Sequence, residues 1–318
     1  MKALLCAAAG LFVALTSCGQ NSKPAATATP AGATTLATLA ASLRDSLTAI
    51  ATTYPAEIGI AVITSGGDTV TVNNADNYPL MSVFKLHQAI ALCHRLEERG
   101  SSLDTVVSIS PAQMNPDTWS PMLKDYGGKT ITISIRDLLR YTLTLSDNNA
   151  SNYLFENIQP VAAADSFIAT LIPRATFRLS VTEADMWLNH SRAADNHSSP
   201  LGVALLLDRL YTDSLLARAD QDFICSTLRQ CTTGTDRIAA PLAGKPGVTI
   251  GHKTGSGYRN PDGSLAAHND AAFITLPDGR HYTLAVLVKD FKGSDRQASE
   301  AIARISSAVY AMLSKHHM

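Results

Sequence analysis

The stretch His268-Asn269-Asp270-Ala271-Ala272-Phe273-Ile274-Thr275-Leu276-Pro277-Asp278-Gly279-Arg280-His281-Tyr282-Thr283-Leu284-Ala285-Val286-Leu287-Val288 carries a plain hairpin pattern. Two strand-like runs, 268–276 and 282–288, flank Pro277-Asp278-Gly279-Arg280, whose proline, aspartate and glycine favour a turn. Tyr282, Leu284, Val286 and Val288 share one face of the second run, because side chains alternate along a strand. A further strand pattern precedes them at 248–252. Far upstream, Ile58, Ile60 and Val62 alternate with Gly59, Ala61 and Ile63, one face being made mostly of small residues. Ser65-Gly66-Gly67-Asp68 then turns that strand into 69–72, a hairpin.

Strands therefore lie near both ends of the chain, and residues from about 80 to 235 read mainly as helices and loops. Leu36, Leu39, Ala40, Leu43, Leu47 and Ile50 recur at helical spacing before the first strand, as do Ile302, Ile305, Val309, Met312 and Leu313 after the last. The expectation is an α/β (α+β) fold: a five-stranded antiparallel sheet built from both termini, flanked by helices, with an inserted all-helical lobe. The sheet lobe would take residues 36–75 and 236–318, and the helical lobe 76–235. A cleft between the lobes is the natural place for a site. No internal repeat occurs, and no glycine fingerprint follows a strand into a helix, so a dinucleotide fold is unsupported.

The chain has 318 residues, 46% hydrophobic and 17% charged, enough to bury a core. Twenty-six basic against 27 acidic residues leave a net charge of −1 without a basic run, which argues against nucleic acid as a partner. Nine histidines occur (87, 94, 190, 197, 252, 268, 281, 316 and 317), none in an H-E-x-x-H or comparable metal-ligand spacing. No metal and no cofactor are expected. His252, beside Lys253, reads as a strand residue.

Lys2 precedes an apolar run, 3–15, that is too short to span a bilayer and has the layout of a secretory signal. Its end, Leu15-Thr16-Ser17-Cys18, resembles the bacterial lipoprotein box. By that resemblance residues 1–17 are removed, Cys18 carries lipid, and 18–35 form a flexible tether. The folded part would be exported and membrane-anchored through the lipid alone, on the periplasmic side or the cell surface. An ordinary cleaved signal with an incidental cysteine is the other reading. Cys6 leaves with the signal, which leaves Cys93, Cys225 and Cys231. An odd number without C-x-x-C gives no disulfide scaffold. A Cys225–Cys231 bridge is disfavoured if one helix carries both, and buried small hydrophobes are the preferred reading of all three.

Three short motifs carry the chemistry. In Ser82-Val83-Phe84-Lys85, which opens a helical pattern continued by Leu86, Ile90 and Leu92, a hydroxyl and an amine share one helix face. A serine is a weak nucleophile until a base takes its proton, and a desolvated lysine can do so. A helix start beside Ser82 would also offer N–H groups to an oxyanion. Alone this is weak, since S-x-x-K arises by chance roughly once in a chain this long. Ser146-Asp147-Asn148 follows the helical run Leu138, Leu139 and Leu143, and Lys253-Thr254-Gly255 sits at the end of the 248–252 strand. A helix-start serine and a strand-end turn are the plain readings of these two. In this order and context, the three together are improbable by accident.

The set resembles the signature of class A serine β-lactamases and of penicillin-binding proteins. The resemblance runs from about Leu36 to Leu313, and Met81-Ser82-Val83-Phe84-Lys85 with Ser146-Asp147-Asn148-Asn149-Ala150-Ser151-Asn152 is closest to the CfxA-type, extended-spectrum cephalosporinase branch. It implies that Ser82 is acylated by a β-lactam, that Lys85 helps deprotonate it, and that Ser146 relays a proton toward the departing ring nitrogen. It implies further that Asn148 bonds the substrate's side-chain amide and that Lys253, Thr254 and Gly255 form the seat of its carboxylate. Ser256 stands where a strand-edge N–H joins that of Ser82 in the oxyanion hole. Arg237, after Thr232-Thr233-Gly234, matches an arginine supporting the carboxylate seat, the other reading being a surface arginine beside Asp236. Trp119 in Trp119-Ser120-Pro121 matches an aromatic at the cleft mouth, the other reading being a core residue.

Turnover requires a base that delivers water to the acyl-enzyme, and Glu183 in Thr182-Glu183-Ala184-Asp185-Met186 fits its place in the family. Ser180-Val181-Thr182-Glu183 also matches a capping box, in which Glu183 would satisfy a helix start; both can hold. The family pattern has an arginine two before this glutamate and an asparagine four after, where this chain has Val181 and Trp187, with the nearest asparagine at Asn189. That leaves loop shape and water placement open and resembles the cephalosporin-hydrolysing branch with its altered loop. The implied activity is β-lactam hydrolysis, cephalosporins preferred and penicillins too, conferring antibiotic resistance, by a monomer that serine-acylating inhibitors also modify. A penicillin-binding D,D-peptidase and a non-enzymatic β-lactam sensor are the alternatives; Glu183 discriminates against the sensor.

Overall fold

Leu39, Leu43 and Leu47 form one buried stripe along the first helix, α1 (Leu36–Ala51), and that stripe lies on a sheet. The computed structural model describes residues 36–315, all within one compact unit spanning Thr35–Met318. The proposed signal at 1–17, Cys18 and the 18–35 tether lie outside the described residues.

After α1 come β1 (Glu57–Thr64) and β2 (Thr69–Val72), joined by the tight turn. The chain then enters the second lobe through β3 (Tyr78–Pro79), a 3₁₀ turn at Met81–Val83 and α2 (Phe84–Glu98). There follow β4 (Val106–Ile109), α3 (Pro121–Asp125), β5 (Ile131–Ser134), α4 (Ile135–Thr144), α5 (Asn148–Asn157) and α6 (Val161–Leu171). β6 (Phe177–Arg178), α7 (Glu183–Leu188), β7 (His197–Ser198), α8 (Pro200–Thr212) and α9 (Arg218–Leu228) complete the lobe. The return is β8 (Thr249–Ser256), β9 (His268–Thr275), β10 (His281–Lys289) and α10 (Asp295–Leu313).

The main sheet has the order β2-β1-β10-β9-β8 and is antiparallel throughout, as expected. Chain ends meet in its middle, where Ile60 faces Val286 and Ala61 faces Ala285. Alternation gives each strand two apolar faces. Ile58, Ile60, Val62, Leu284 and Val286 pack with Leu43, Leu47, Ile302 and Ile305 of α1 and α10. Ala61, Ala271, Phe273, Ala285 and Leu287 instead belong to the larger core shared with α2 and α8. At about 1.5–3 kcal/mol for each large apolar side chain buried, these two cores dominate the stabilisation. The small face of β1 has a steric cause: a Cβ on Gly59 would lie 2.6 Å from the ring of Pro200 at the start of α8.

The structure departs from the sequence expectation in two places. The inserted lobe is mainly helical but also holds the two-stranded sheet β4-β5 and the three-stranded sheet β3-β7-β6, whose strands of two to four residues are too short to show a period. The Lys253-Thr254-Gly255 motif lies inside β8 rather than at its end. The ladder continues through Lys253↔Ala271, Thr254↔Asp270 and Ser256↔His268.

Candidate active site

Met81 holds a left-handed backbone, φ 45°, a conformation that bulky residues adopt at a cost. It turns the chain from β3 into the 3₁₀ turn, leaving Ser82 half-buried at the cleft and Lys85 fully buried one turn later. Lys85 Nζ lies 3.0 Å from Ser82 Oγ, 2.8 Å from Ser146 O, 2.7 Å from Asn148 Oδ1 and 2.9 Å from Glu183 Oε1. A buried ammonium is tolerable only when so surrounded. The Ser82 hydroxyl donates to the same Glu183 Oε1 at 2.8 Å. Hydroxyl, amine and carboxylate thus form one closed cluster.

Ser146 is also left-handed, φ 58°, in the joint between α4 and α5. Asp147 is the structural member of its motif. It caps α5 by accepting from Ala150 N at 2.9 Å, and it accepts from Met122 N at 2.8 Å and from Ser120 Oγ at 2.9 Å. The anchored turn places Ser146 Oγ 3.0 Å from Lys253 Nζ and 3.4 Å from Lys85 Nζ. Asn148 donates to Thr118 Oγ1 at 2.9 Å, which fixes its amide at the cavity wall.

On the opposite wall, β8 carries Lys253, whose Nζ also donates to Thr254 O at 2.9 Å. Burial pushes Lys253 down to about 7, with the neighbouring Lys85 adding to the effect and Cys231 and Glu183 opposing it. Thr254 Oγ1 meets Thr233 Oγ1 at 2.6 Å. Gly255 is required by close approach, since a Cβ there would lie 2.6 Å from Leu80 O and 3.2 Å from Ser82 N. β8 is an edge strand, and Gly257 N donates inward to Ala267 O at 2.8 Å. Amides of an antiparallel ladder alternate, so the Ser256 N–H points outward to the open edge.

Arg237 is buried rather than a surface residue beside Asp236. It donates to Asn269 O at 2.7 Å, Gly255 O at 3.2 Å and Ser256 Oγ at 2.6 Å, bringing a guanidinium to the end of β8. Trp119 is 56% exposed and lines the cavity, which corrects the core alternative; its Nε1 donates to Leu145 O at 2.9 Å.

Glu183 opens α7, and the capping box there is Thr182 with Asp185, not Ser180 with Glu183. Thr182 Oγ1 accepts from Asp185 N at 3.1 Å and Asp185 Oδ2 accepts from Thr182 N at 2.9 Å, which leaves Glu183 buried and facing Ser82. Val181 packs in the core. The loop is tied instead by Asn196, fully buried, which accepts from Ser180 N at 2.8 Å and Val181 N at 3.1 Å and donates to Val181 O at 2.9 Å. Asn189 caps its own following turn, and Trp187 lines the cavity. Beside it His190 stacks on Tyr258, ring centroids 3.5 Å apart.

Sequence reasoning missed Asn196 and Asn269. Asn269 is fully buried and donates to Pro79 O at 2.7 Å and Leu80 O at 3.1 Å, joining β9 to the turn that presents Ser82. Neither asparagine stands in a recognisable local pattern, and their partners are distant in sequence. The cavity between the walls has a volume of about 570 Å³, within the range of small-molecule sites, and is lined by Ser82, Ser146, Asn148, Glu183, Arg237 and Thr254 among others. Such an arrangement places a guanidinium and the Thr254 hydroxyl on the cavity wall, able to receive an anion beside Ser82.

Known proteins match this architecture. A profile of the Beta-lactamase enzyme family matches residues 42–313. A β-lactamase of Phocaeicola vulgatus is 56% identical over 271 residues, covering 85% of this chain and 84% of that protein. The extended-spectrum β-lactamase PER-1 of Pseudomonas aeruginosa is 30% identical over 270 residues, covering 84% of this chain and 86% of its own. The crystal structure of a class A β-lactamase from Bacteroides cellulosilyticus superposes with a TM-score of 0.82 at 30% identity, covering 87% of this chain and 99% of the other.

Proposed function

The chain belongs to the class A serine β-lactamases, β-lactam hydrolysis being the family's activity, and from that membership we propose that it turns over cephalosporins through an acyl-enzyme on Ser82. The substrate carboxylate binds Lys253 and Thr254, with Arg237 behind them, by charge-assisted hydrogen bonds. Asn148 holds the side-chain amide, and Trp119 borders the mouth. Ser82 Oγ gives up its proton within the Lys85–Glu183 cluster and attacks the ring carbonyl. The N–H groups of Ser82 and Ser256 receive the oxyanion. As the carbon–nitrogen bond breaks, Ser146 passes a proton to the ring nitrogen. Glu183 then takes a proton from water, whose oxygen attacks the ester and frees Ser82.

One observation supports this reading above the rest: Glu183 Oε1 lies within hydrogen-bond reach of both Ser82 Oγ and Lys85 Nζ. Preference for cephalosporins is supported by Val181 and Trp187 in the loop and by likeness to an extended-spectrum enzyme. Export as a Cys18 lipoprotein belongs to the same proposal and rests on the lipoprotein-like box. Purified protein is expected to hydrolyse a chromogenic cephalosporin in the presence of chelator and to lose that activity with Ser82→Ala. Hydrolysis that survives Ser82→Ala contradicts the nucleophile assignment.

A further inference from the structure

The carboxylates and the guanidinium on the cavity wall belong to Asp117, Glu183 and Arg237. Two of these have partners. Glu183 is paired with Lys85 at 2.9 Å, and Arg237 donates to Gly255 O, Asn269 O and Ser256 Oγ. Asp117 differs: among the described residues its carboxylate accepts no hydrogen bond and forms no ion pair. Lys124 lies over the Trp119 ring, 5.5 Å from its centroid, and makes no ion pair with Asp117 either.

The segment that carries Asp117 is fastened to α5 on both sides. Upstream, Asn115 N donates to Asn149 Oδ1 at 2.9 Å, and Asn149 Nδ2 donates back to Asn115 O at 3.0 Å. Downstream, Asn148 N donates to Trp119 O at 3.0 Å, and Asn148 Nδ2 donates to Thr118 Oγ1 at 2.9 Å. Between these anchors the Asp117 N–H donates to Asn115 Oδ1 at 2.9 Å. The backbone beneath the carboxylate is thus already ordered, so meeting a ligand costs little further loop entropy. Cleft walls also displace part of the water that would screen the charge, which focuses its field into the cavity. Negative charge on this wall faces the Arg237 guanidinium on the wall of β8, a pattern complementary to a zwitterion.

We propose that Asp117 is a specificity-determining residue that favours β-lactams bearing an α-ammonium group on the acyl side chain and disfavours those bearing a carboxylate there. The proposal rests on reading Asn148 as the seat of the side-chain amide and Thr254 with Arg237 as the seat of the ring carboxylate. An α-ammonium stands one carbon beyond that amide, and Asn148 is bonded to the residue next to Asp117. Trp119, exposed and held by its Nε1, offers an apolar ring to an aryl group on the same carbon. Attraction of the cation and repulsion of the anion act together, since specificity is a difference between two affinities.

The test uses three cephalosporins with one nucleus and phenylacetyl, α-aminophenylacetyl or α-carboxyphenylacetyl side chains. Hydrolysis by the full-length protein is followed at pH 6, where the α-amine is protonated. In the wild type kcat/KM should rank amino above unsubstituted above carboxy, and added salt should narrow the spread. Asp117→Asn should lower the amino-to-carboxy ratio by about 10-fold, ~3-fold from each charge, the scale of an exposed ion pair. Asp117→Glu should keep most of the ratio. The phenylacetyl compound separates this from any general loss of rate. A ratio equal in the wild type and Asp117→Asn overturns the proposal, as does a ratio indifferent to salt. If the wild type hydrolyses none of the three, the proposed function fails, and equilibrium binding then reads the preference. Tryptophan fluorescence reports it, because both tryptophans of the chain, Trp119 and Trp187, line the cavity. Binding that is absent, or blind to the Asp117 substitution, overturns the charge preference.

Discussion

Ser82 and Glu183 stand 101 residues apart in sequence and are in direct contact, Oγ donating to Oε1 at 2.8 Å. The same carboxylate oxygen lies 2.9 Å from Lys85 Nζ. A single buried oxygen therefore receives the Ser82 hydroxyl and balances the amine beside it. Its position depends on the loop that precedes α7, and the loop depends on Asn196.

Asn196→Ala should consequently slow turnover without touching a substrate contact. It leaves the N–H and carbonyl of buried Val181, and the N–H of Ser180, without their partner. Unmade hydrogen bonds in a buried site cost about 1–3 kcal/mol each, only partly relieved by relaxation. Thermal denaturation should show a lowered midpoint, and kcat should fall more than KM rises. A variant with the wild-type midpoint and kcat would show that the loop is held otherwise.

Arg237→Lys keeps a positive charge but loses the planar fork that reaches Gly255 O, Asn269 O and Ser256 Oγ. Steady-state kinetics should show KM raised by about 10-fold, equivalent to ~1.4 kcal/mol, with a smaller change in kcat. Loss confined to kcat would move Arg237 from substrate binding to the reaction itself.

Burial brings Lys253 down to about 7. A lysine lowered on folding is charged below its lowered value and loses that charge as pH rises through it. Recognition of a substrate carboxylate should accordingly be full at pH 6 and weaken by pH 9, visible as a falling kcat/KM. An ester of the same substrate, lacking the anion, should show a shallower decline. Identical slopes for acid and ester would place the titrating group elsewhere.

Much of the fold was legible because the strands obey a period of two and the terminal helices a period near 3.6. Ile58 to Ile63 and Tyr282 to Val288 announce both the sheet and its paired faces. The end of β8 was not legible: Lys253 and Thr254 are polar, and their buried polar atoms are satisfied by Ser146 and Thr233 rather than covered by an apolar pattern. The capping box at α7 lies two residues later than the sequence suggests, because Ser180 and Thr182 both satisfy the pattern. Only the three-dimensional contacts select Thr182. Within the site, Ser82 and Lys85 approach as their i, i+3 spacing suggested, and Ser146 and Lys253 meet them across long-range contacts. Asn196 and Asn269 escaped notice because each acts across contacts that no local pattern encodes. Asn269, for instance, bonds Pro79 at a separation of 190 residues.

Mass spectrometry of Glu183→Gln mixed with a cephalosporin tests the central assignment most directly, since it reads attack and release in one experiment. The amide keeps the shape of the site but cannot take a proton from water, so the protein should gain one opened-ligand mass on the Ser82 peptide. That adduct should outlast the wild-type intermediate by at least ~100-fold, the scale of a missing general base. A Glu183→Gln protein that returns to its unmodified mass as fast as the wild type would contradict the account.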